Sequence, residues 1–426
     1  MSLRILSFCC VLFLSQALSA QSPSGNCYCD NTYVDYIRSA RLHPTGLVLA
    51  NPILELGSNS QLYLSFDDLS PDVRSYTLAV EHCDADWTPS DLSPTEYIDG
   101  FPENTLQDYE FSFNTITPFT HYFITFPNND IAFTRSGNYI LKIYDDEDDR
   151  KLVLTRRFMV VESIMQVLPR FVRPAMVHKS DTHQELDLVV AHPGIDIRRP
   201  RQEVQVAVVQ NWRWDNAVTG LPPLFFRPEE MRFDYQDKLI FEAGKEFRYV
   251  DLRSLRFTNT NVYNIQSYDD GVEVTLFKDE KRMNRAYLEF EDINGDYIIG
   301  TQDNRDPDLE ADYAHVLFSL DSPTEYVGED VYIFGALTEW QLKPEFKMTY
   351  NLQVGAYVAD VLLKQGYYDY MYALVPQGSK TIGFADLEGN WHEAKNDYSI
   401  FVYYRPFGER YDRLVAAGTF SSRFRQ

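Results

Sequence analysis

The chain runs to 426 residues with 39 basic and 63 acidic side chains, a net charge of −24, and 15% aromatic residues. Such an acid excess excludes the basic stripe that nucleic acid or an anionic membrane surface demands, leaving proteins and neutral sugars as partners. At about 100–200 residues per domain, the length has room for two to four domains.

Residues 1–20 read as a secretory signal peptide. Arg4 is the sole charge, residues 5–14 are apolar, and Ala17-Leu18-Ser19-Ala20 offers small residues for cleavage near Gln21. The apolar stretch is shorter than the roughly 20 residues a bilayer span needs. Phe8 before Cys9 lacks the small residue of a lipoprotein signal. No later window approaches transmembrane length, so the mature chain is expected in a periplasm-like or extracellular space without a direct transmembrane span. Cys9 and Cys10 leave with the signal, and Cys27, Cys29 and Cys83 remain. An oxidising compartment permits one bridge among them and leaves one thiol over, while their spacing matches no zinc pattern.

From residue 60 onward the dominant period is two. Leu62, Leu64 and Phe66 alternate with Gln61, Tyr63 and Ser65, then give way to the turn-rich residues 67–71. Tyr76, Leu78 and Val80 share a face, as do Tyr139, Leu141 and Ile143 between Ser136-Gly137-Asn138 and the acidic turn at 145–149. The pattern recurs at Val204/Val206/Val208, Val272/Val274/Leu276, Val316/Phe318/Leu320 and residues 400–404. Strict alternation with turn punctuation marks half-buried strands, and Tyr and Phe suit them. No stretch makes an amphipathic helix of three turns. The expectation is an all-β chain of tandem immunoglobulin-like β-sandwiches, three units in all. The proline-bearing stretch at 162–174 and the polar, acidic stretch at 301–308 set their bounds at 21–162, 163–305 and 306–426.

Glu81-His82-Cys83-Asp84 places a thiol beside an imidazole, but in a strand His82 and Cys83 point to opposite faces. No G-x-S-x-G elbow, H-E-x-x-H helix or glycine-rich phosphate loop occurs. Asp292-Ile293-Asn294-Gly295-Asp296 has its glycine at the fourth place, where a calcium loop needs it at the sixth. Asn-Gly between residues 288–290 and 297–299 reads instead as a hairpin turn. No enzyme, cofactor or metal site is expected. The one basic cluster, Arg198-Arg199-Pro200-Arg201, is either a docking point for an acidic partner surface or a plain exposed turn.

The first unit carries a further signal. Leu62 to Leu69, Glu81-His82-Cys83-Asp84-Ala85-Asp86-Trp87, Glu96-Tyr97-Ile98-Asp99-Gly100-Phe101, Ser136-Gly137-Asn138-Tyr139 and Thr155-Arg156-Arg157-Phe158-Met159-Val160 follow in order, with Asn114-Thr115, Thr120-His121-Tyr122 and Pro127-Asn128 between them. At the far end stand Glu388-Gly389-Asn390, Asn396-Asp397-Tyr398, Val402-Tyr403-Tyr404-Arg405-Pro406 and Asp412-Arg413-Leu414. This succession resembles the type IX secretion system plug proteins of Bacteroidota, formerly a domain of unknown function, across nearly the whole mature chain. The resemblance implies a periplasmic, non-catalytic β-sandwich protein, peripheral to the outer membrane, that occludes the periplasmic opening of the outer-membrane translocon β-barrel. Val331-Tyr332-Ile333-Phe334-Gly335, Trp340 and residues 364–370 are also similar to early-set, glycogen-binding-like sandwich modules. That second resemblance implies Trp340 and Trp391 as carbohydrate or interface aromatics, and an alternative role as a cell-envelope carbohydrate-binding protein. Residues 419–426 do not resemble the sorting domain of cargo on this route, so a part of the machinery is expected rather than a passenger.

Overall fold

The computed structural model describes residues 28–423; the expected signal peptide and Cys27 lie outside the described residues. The fold is all-β, and the residues that alternate in the sequence are the ones that fill its cores. Leu62, Leu64 and Phe66 are all fully buried, as are Val316, Phe318 and Leu320. Each such side chain contributes roughly 1.5–3 kcal/mol on burial. Among the described residues no helix is long and apolar enough to cross a membrane.

The first unit is a sandwich of two antiparallel sheets. One runs Ile37–Pro44, Leu62–Asp68, Thr120–Phe126, Tyr109–Phe111. The other runs Asn31–Thr32, Lys151–Val161, Gly137–Asp145, Tyr76–Cys83, Glu103–Thr105, with Ile53–Glu55 joining Lys151–Val161 in parallel. Aromatic rings lock the two together. Phe66, Tyr76 and Tyr122 pack with centroids 4.9–5.4 Å apart, and Phe126 meets Phe158 across the sandwich at 5.6 Å.

The remaining sheets do not divide where the sequence places units 163–305 and 306–426. Val204–Gln210 pairs with Asp397–Tyr404, Val204 standing opposite Tyr404, and Asp397–Tyr404 pairs in turn with Arg413–Ser421. That sheet covers the one built from Gln166–Val172, His183–Ala191, Glu230–Phe233 and Phe225–Arg227, with Ile240–Glu242 also pairing His183–Ala191. The second sandwich therefore takes its last two strands from the C-terminal end of the chain. Residues 244–395 are inserted between its strands as the third unit, a nine-stranded sheet wrapped around its own core. Its path runs from Arg248–Asp251 through Gly366–Pro376, Glu329–Phe334, Lys347–Asn351, Ala356–Lys364, Tyr313–Asp321 and Gly271–Leu276 to Val262–Tyr268. The polar stretch at 301–308 lies inside the third unit rather than at its start. Asp306 caps a short helix, Pro307–Glu310, by accepting from the Asp308 N–H at 3.0 Å, within the third unit.

Candidate interaction surfaces

The first unit is held by its neighbours along two seams. Against the second unit, its Tyr76–Cys83, Gly137–Asp145 and Lys151–Val161 sheet turns an outward apolar face. Cys83, Ile140 and Met159 meet Ala207, Val209, Phe401 and Tyr403 in one buried cluster. The Arg157 guanidinium lies between the rings of Trp87 and Trp214, 4.3 and 4.8 Å from their centroids. The buried Tyr403 hydroxyl donates to Asn138 Oδ1 at 2.9 Å. At the rim, Arg405 reaches Asp84 and Asp412 at 2.7 and 2.8 Å, and Arg413 grips Glu162 with two nitrogens.

This seam accounts for the His82-Cys83 pair. The Cys83 thiol is buried in the apolar cluster, and burial pushes its pKa up, away from the reactive thiolate. His82 packs edge-on to Tyr139 and Tyr411 on the other face. Its Nε2 meets the Ser136 carbonyl at 3.1 Å and its Nδ1 meets the Ser90 hydroxyl at 2.8 Å. A carbonyl only accepts, so Nε2 carries the proton. Burial lowers the ring's pKa to about 4 and keeps it neutral. Cys29 is disulfide-bonded, and Cys83 is a free, buried thiol.

Against the third unit the first unit presents charge. Asp67 and Lys364, each 1% exposed, pair at 2.6 Å, and the same carboxylate accepts from the Tyr313 hydroxyl at 2.6 Å and meets His121 Nδ1 at 2.7 Å. Burial works against the Asp67 charge, yet Lys364 and His121 outweigh it and hold the carboxyl below its usual range. A second cluster joins Arg156 to Glu339, whose other oxygen accepts from the Thr32 backbone and from Lys343. Burial opposes the Glu339 charge too, but Arg156 and Lys343 bring its pKa down to about 2. Arg41 crosses the seam to Asp296 at 3.3 Å, with its guanidinium 4.3 Å over the Tyr297 ring.

Trp340 follows Glu339, and both are left-handed, at φ 56° each. The Trp340 ring packs against Phe334 and Phe247 at 5.6 and 6.0 Å and fills the hollow above Gly295, where an added Cβ would sit 2.4 Å from it. Trp391 stacks on Tyr287 at 6.0 Å, with the Lys245 ammonium 5.4 Å from its centroid. The two tryptophans thus stand behind the wall of one cleft of about 500 Å³ between the second and third units, whose lining includes Phe247, Phe384, Lys245, Arg213 and Asn216. Neither ring forms its surface. Trp340, half-buried, does line two smaller clefts, of about 240 and 100 Å³, beside Trp212 and Asp296.

Asn294 and Gly295 both take positive φ, 54° and 84°, as an Asn-Gly turn requires. The expected hairpin does not form, because Tyr297–Ile299 pairs with Gly366–Pro376 and residues 288–290 form no strand. Carboxylates in and beside this loop accept from its backbone and from the Phe247 N–H. Asp292 accepts from the Phe247 N–H at 2.6 Å, and Asp369 from those of Ile293 and Gly295 at 2.7 and 3.2 Å. Burial, with Asp292 close by, pushes the Asp369 carboxyl up to about 8, and burial raises Asp292 to about 6.

Arg198, Arg199 and Arg201 lie exposed on the second unit, at a corner where the short helix Pro200–Glu203 leads into Val204–Gln210. Arg201 donates to the Leu224 carbonyl at 3.1 Å, and Arg199 sits 5.3 Å over the Phe407 ring. Around them are Phe225, Phe226 and Phe407, 63%, 53% and 85% exposed. Sequence reasoning missed these rings. Their one local signal is an adjacent Phe225-Phe226 pair set between prolines 222, 223 and 228.

Comparison with known proteins adds the following. Residues 37–162 match the family described as type 9 secretion system plug protein 1st domain. The crystal structure of a hypothetical protein from Parabacteroides merdae is 34% identical, with a TM-score of 0.88 over 92% of this chain and 99% of that one. An enterococcal surface protein and a collagen adhesin from S. aureus align at 7% and 8% identity with TM-scores of 0.20 and 0.11, and no argument rests on them. No curated protein matches.

Proposed function

We infer, from a chain that belongs to the type 9 secretion system plug protein family, that it occludes the periplasmic opening of the outer-membrane translocon β-barrel. It does so from the periplasm, peripheral to the membrane. The observation that carries this reading is the first-domain match at 37–162, on a unit flanked by two others along extensive buried seams. A pore wide enough for folded cargo leaks unless a broad, firm body closes it between transport events, and three sandwiches joined in this way supply one. Occlusion asks for shape complementarity and reversible release, with release driven by whichever ligand prefers the open state. It asks for no reactive group, which agrees with the unreactive settings of Cys83 and His82. Deletion of the gene should raise outer-membrane permeability to bulky antibiotics, and complementation should restore the barrier. Permeability unchanged by deletion would sink the sealing role.

A carbohydrate-binding role draws its support from the cleft beside Trp340 and Trp391. Glycan binding that is lost in Trp391→Ala and in Trp340→Ala would promote it. The half-buried Trp340 ring also lines a cleft of about 240 Å³, so Trp340→Ala is the more telling of the two variants.

A further inference from the structure

We propose that the corner at residues 198–201, with the phenylalanines around it, is a docking surface for an acidic, extended segment of a partner protein. The proposal deepens the plug reading by naming a face, and depends on that reading only for identifying the partner as the barrel.

In a chain with 63 acids against 39 bases, an exposed guanidinium has a surplus of carboxylates to meet. Several do meet them, Arg150 with Glu103, Arg227 with Glu230 and Arg410 with Glu96, while Arg135, Arg256 and Arg305 are exposed singly without an ion pair among the described residues. Arg198, Arg199 and Arg201 have no carboxylate partner among the described residues, although Asp196 is two residues away. Their side chains are instead placed by neutral contacts, Arg201 on the Leu224 carbonyl and Arg199 on the face of Phe407. A guanidinium held that way keeps most of its five N–H donors free, in a fork that matches a carboxylate.

The apolar part of the surface is equally unused. Phe225 and Phe226 lie in Phe225–Arg227, a strand paired on one side only, with Glu230–Phe233. Adjacent strand residues face opposite ways, so the edge shows a ring on each face and unpaired backbone groups between them. An extended segment added there would gain main-chain hydrogen bonds from the edge and aromatic contact from the rings. Its carboxylates would meet the arginines. Arginine with exposed aromatic side chains is the composition of binding hot spots. A lipid surface fits less well. Three unpaired cations fall short of the four to eight in a polybasic membrane-binding cluster, and the rest of a chain at −24 would be repelled by anionic lipid. At this corner three such cations stand together, which gives an acidic partner a local attraction that single exposed arginines do not.

The test is a photo-crosslinker, p-benzoylphenylalanine, placed in the full chain at Phe226. A control goes at Phe257, 74% exposed on the third unit. Crosslinked peptides are identified by mass spectrometry after irradiation of intact cells. The expected result is a crosslink at Phe226, absent at Phe257, to an Asp/Glu-rich segment. Adding R198E, R199E and R201E should reduce it about tenfold, as reversal of steering charges does. An acidic segment in a protein other than the barrel would uphold the docking surface and remove the plug reading. Crosslinks to the barrel from Phe257 but not Phe226 would overturn the docking surface and leave the plug reading standing. Lipid adducts alone, a segment without acids, or yields unchanged by the triple reversal would each overturn it.

Discussion

The two seams of the first unit solve the same problem with opposite chemistry. The seam with the second unit is a piece of hydrophobic core laid between two sandwiches, with Met159, Phe401 and Cys83 at its centre. The seam with the third unit is a row of charges, the buried Asp67–Lys364 and Glu339–Arg156 pairs and the partly exposed Asp296–Arg41. Apolar contact is strong and tolerant of small shifts, whereas a buried ion pair is stable in one geometry and costly in every other. The first joint fixes that two units stay together. The second fixes how the inserted unit is oriented, which a close-fitting occluder needs.

Removing one partner from the charged seam should have the largest effect. Lys364→Met leaves Asp67 buried without its cation and is expected to cost about 3–5 kcal/mol in urea unfolding. Pairing it with Asp67→Asn should recover most of that loss. A single-variant cost near zero would show that the pair is not buried as described. In the apolar seam, Met159→Ala should cost about 2–4 kcal/mol, and salt should leave the value unchanged.

Next come two pH windows that separate the seams. The folded state holds His82 at about 4, below the ordinary 6.5, so it disfavours a proton that the unfolded chain accepts. Its contribution is complete above about pH 6.5 and falls away toward pH 4, a loss of about 2–3 kcal/mol. Glu339 is depressed from 4.5 to about 2, so the charged seam keeps its contribution down to about pH 4.5 and loses it below. Asp369 and Asp292, with pKa values raised to about 8 and about 6, gain stability as pH falls through the same range, so the readout is the difference between variants. From pH 7 to 5, His82→Gln should gain about 2 kcal/mol relative to the wild type, while Glu339→Gln keeps a constant difference from it. A difference that changes in that range for Glu339→Gln instead would reverse the assignment. The smallest change expected is in the R198E, R199E and R201E triple variant, within about 0.5 kcal/mol of wild-type stability, because those side chains are exposed and make only surface contacts with the Leu224 carbonyl and the Phe407 ring. A larger loss would make the corner structural.

Strand content was legible because burial imposes a period of two. Leu62, Leu64 and Phe66 announce their face in any window of six residues. The inserted unit was not legible. Val204 and Tyr404 are paired 200 residues apart, and nothing in either segment names its partner. Alternation reports that a strand has a buried face, and not which sheet receives it. The opposite facing of His82 and Cys83 followed from strand geometry, but the apolar seam that buries the thiol comes from residues 207–209 and 401–414. The arginine corner was visible as a run of like charges. Its aromatic half is assembled from residues 225–226 and 407, which only the fold brings together. Trp340 and Trp391 stood out by residue type, yet type does not tell a ring packed on Phe334 or Tyr287 from one open to a sugar.

The central claim is a stable contact between this protein and a very large outer-membrane barrel. The direct measurement is co-purification of an affinity-tagged full-length chain from outer membranes solubilised in mild detergent, with the bound protein quantified by mass spectrometry. The account predicts that a very large β-barrel is recovered in near-stoichiometric amount with the wild type. Recovery of the tagged chain without any such barrel would contradict it.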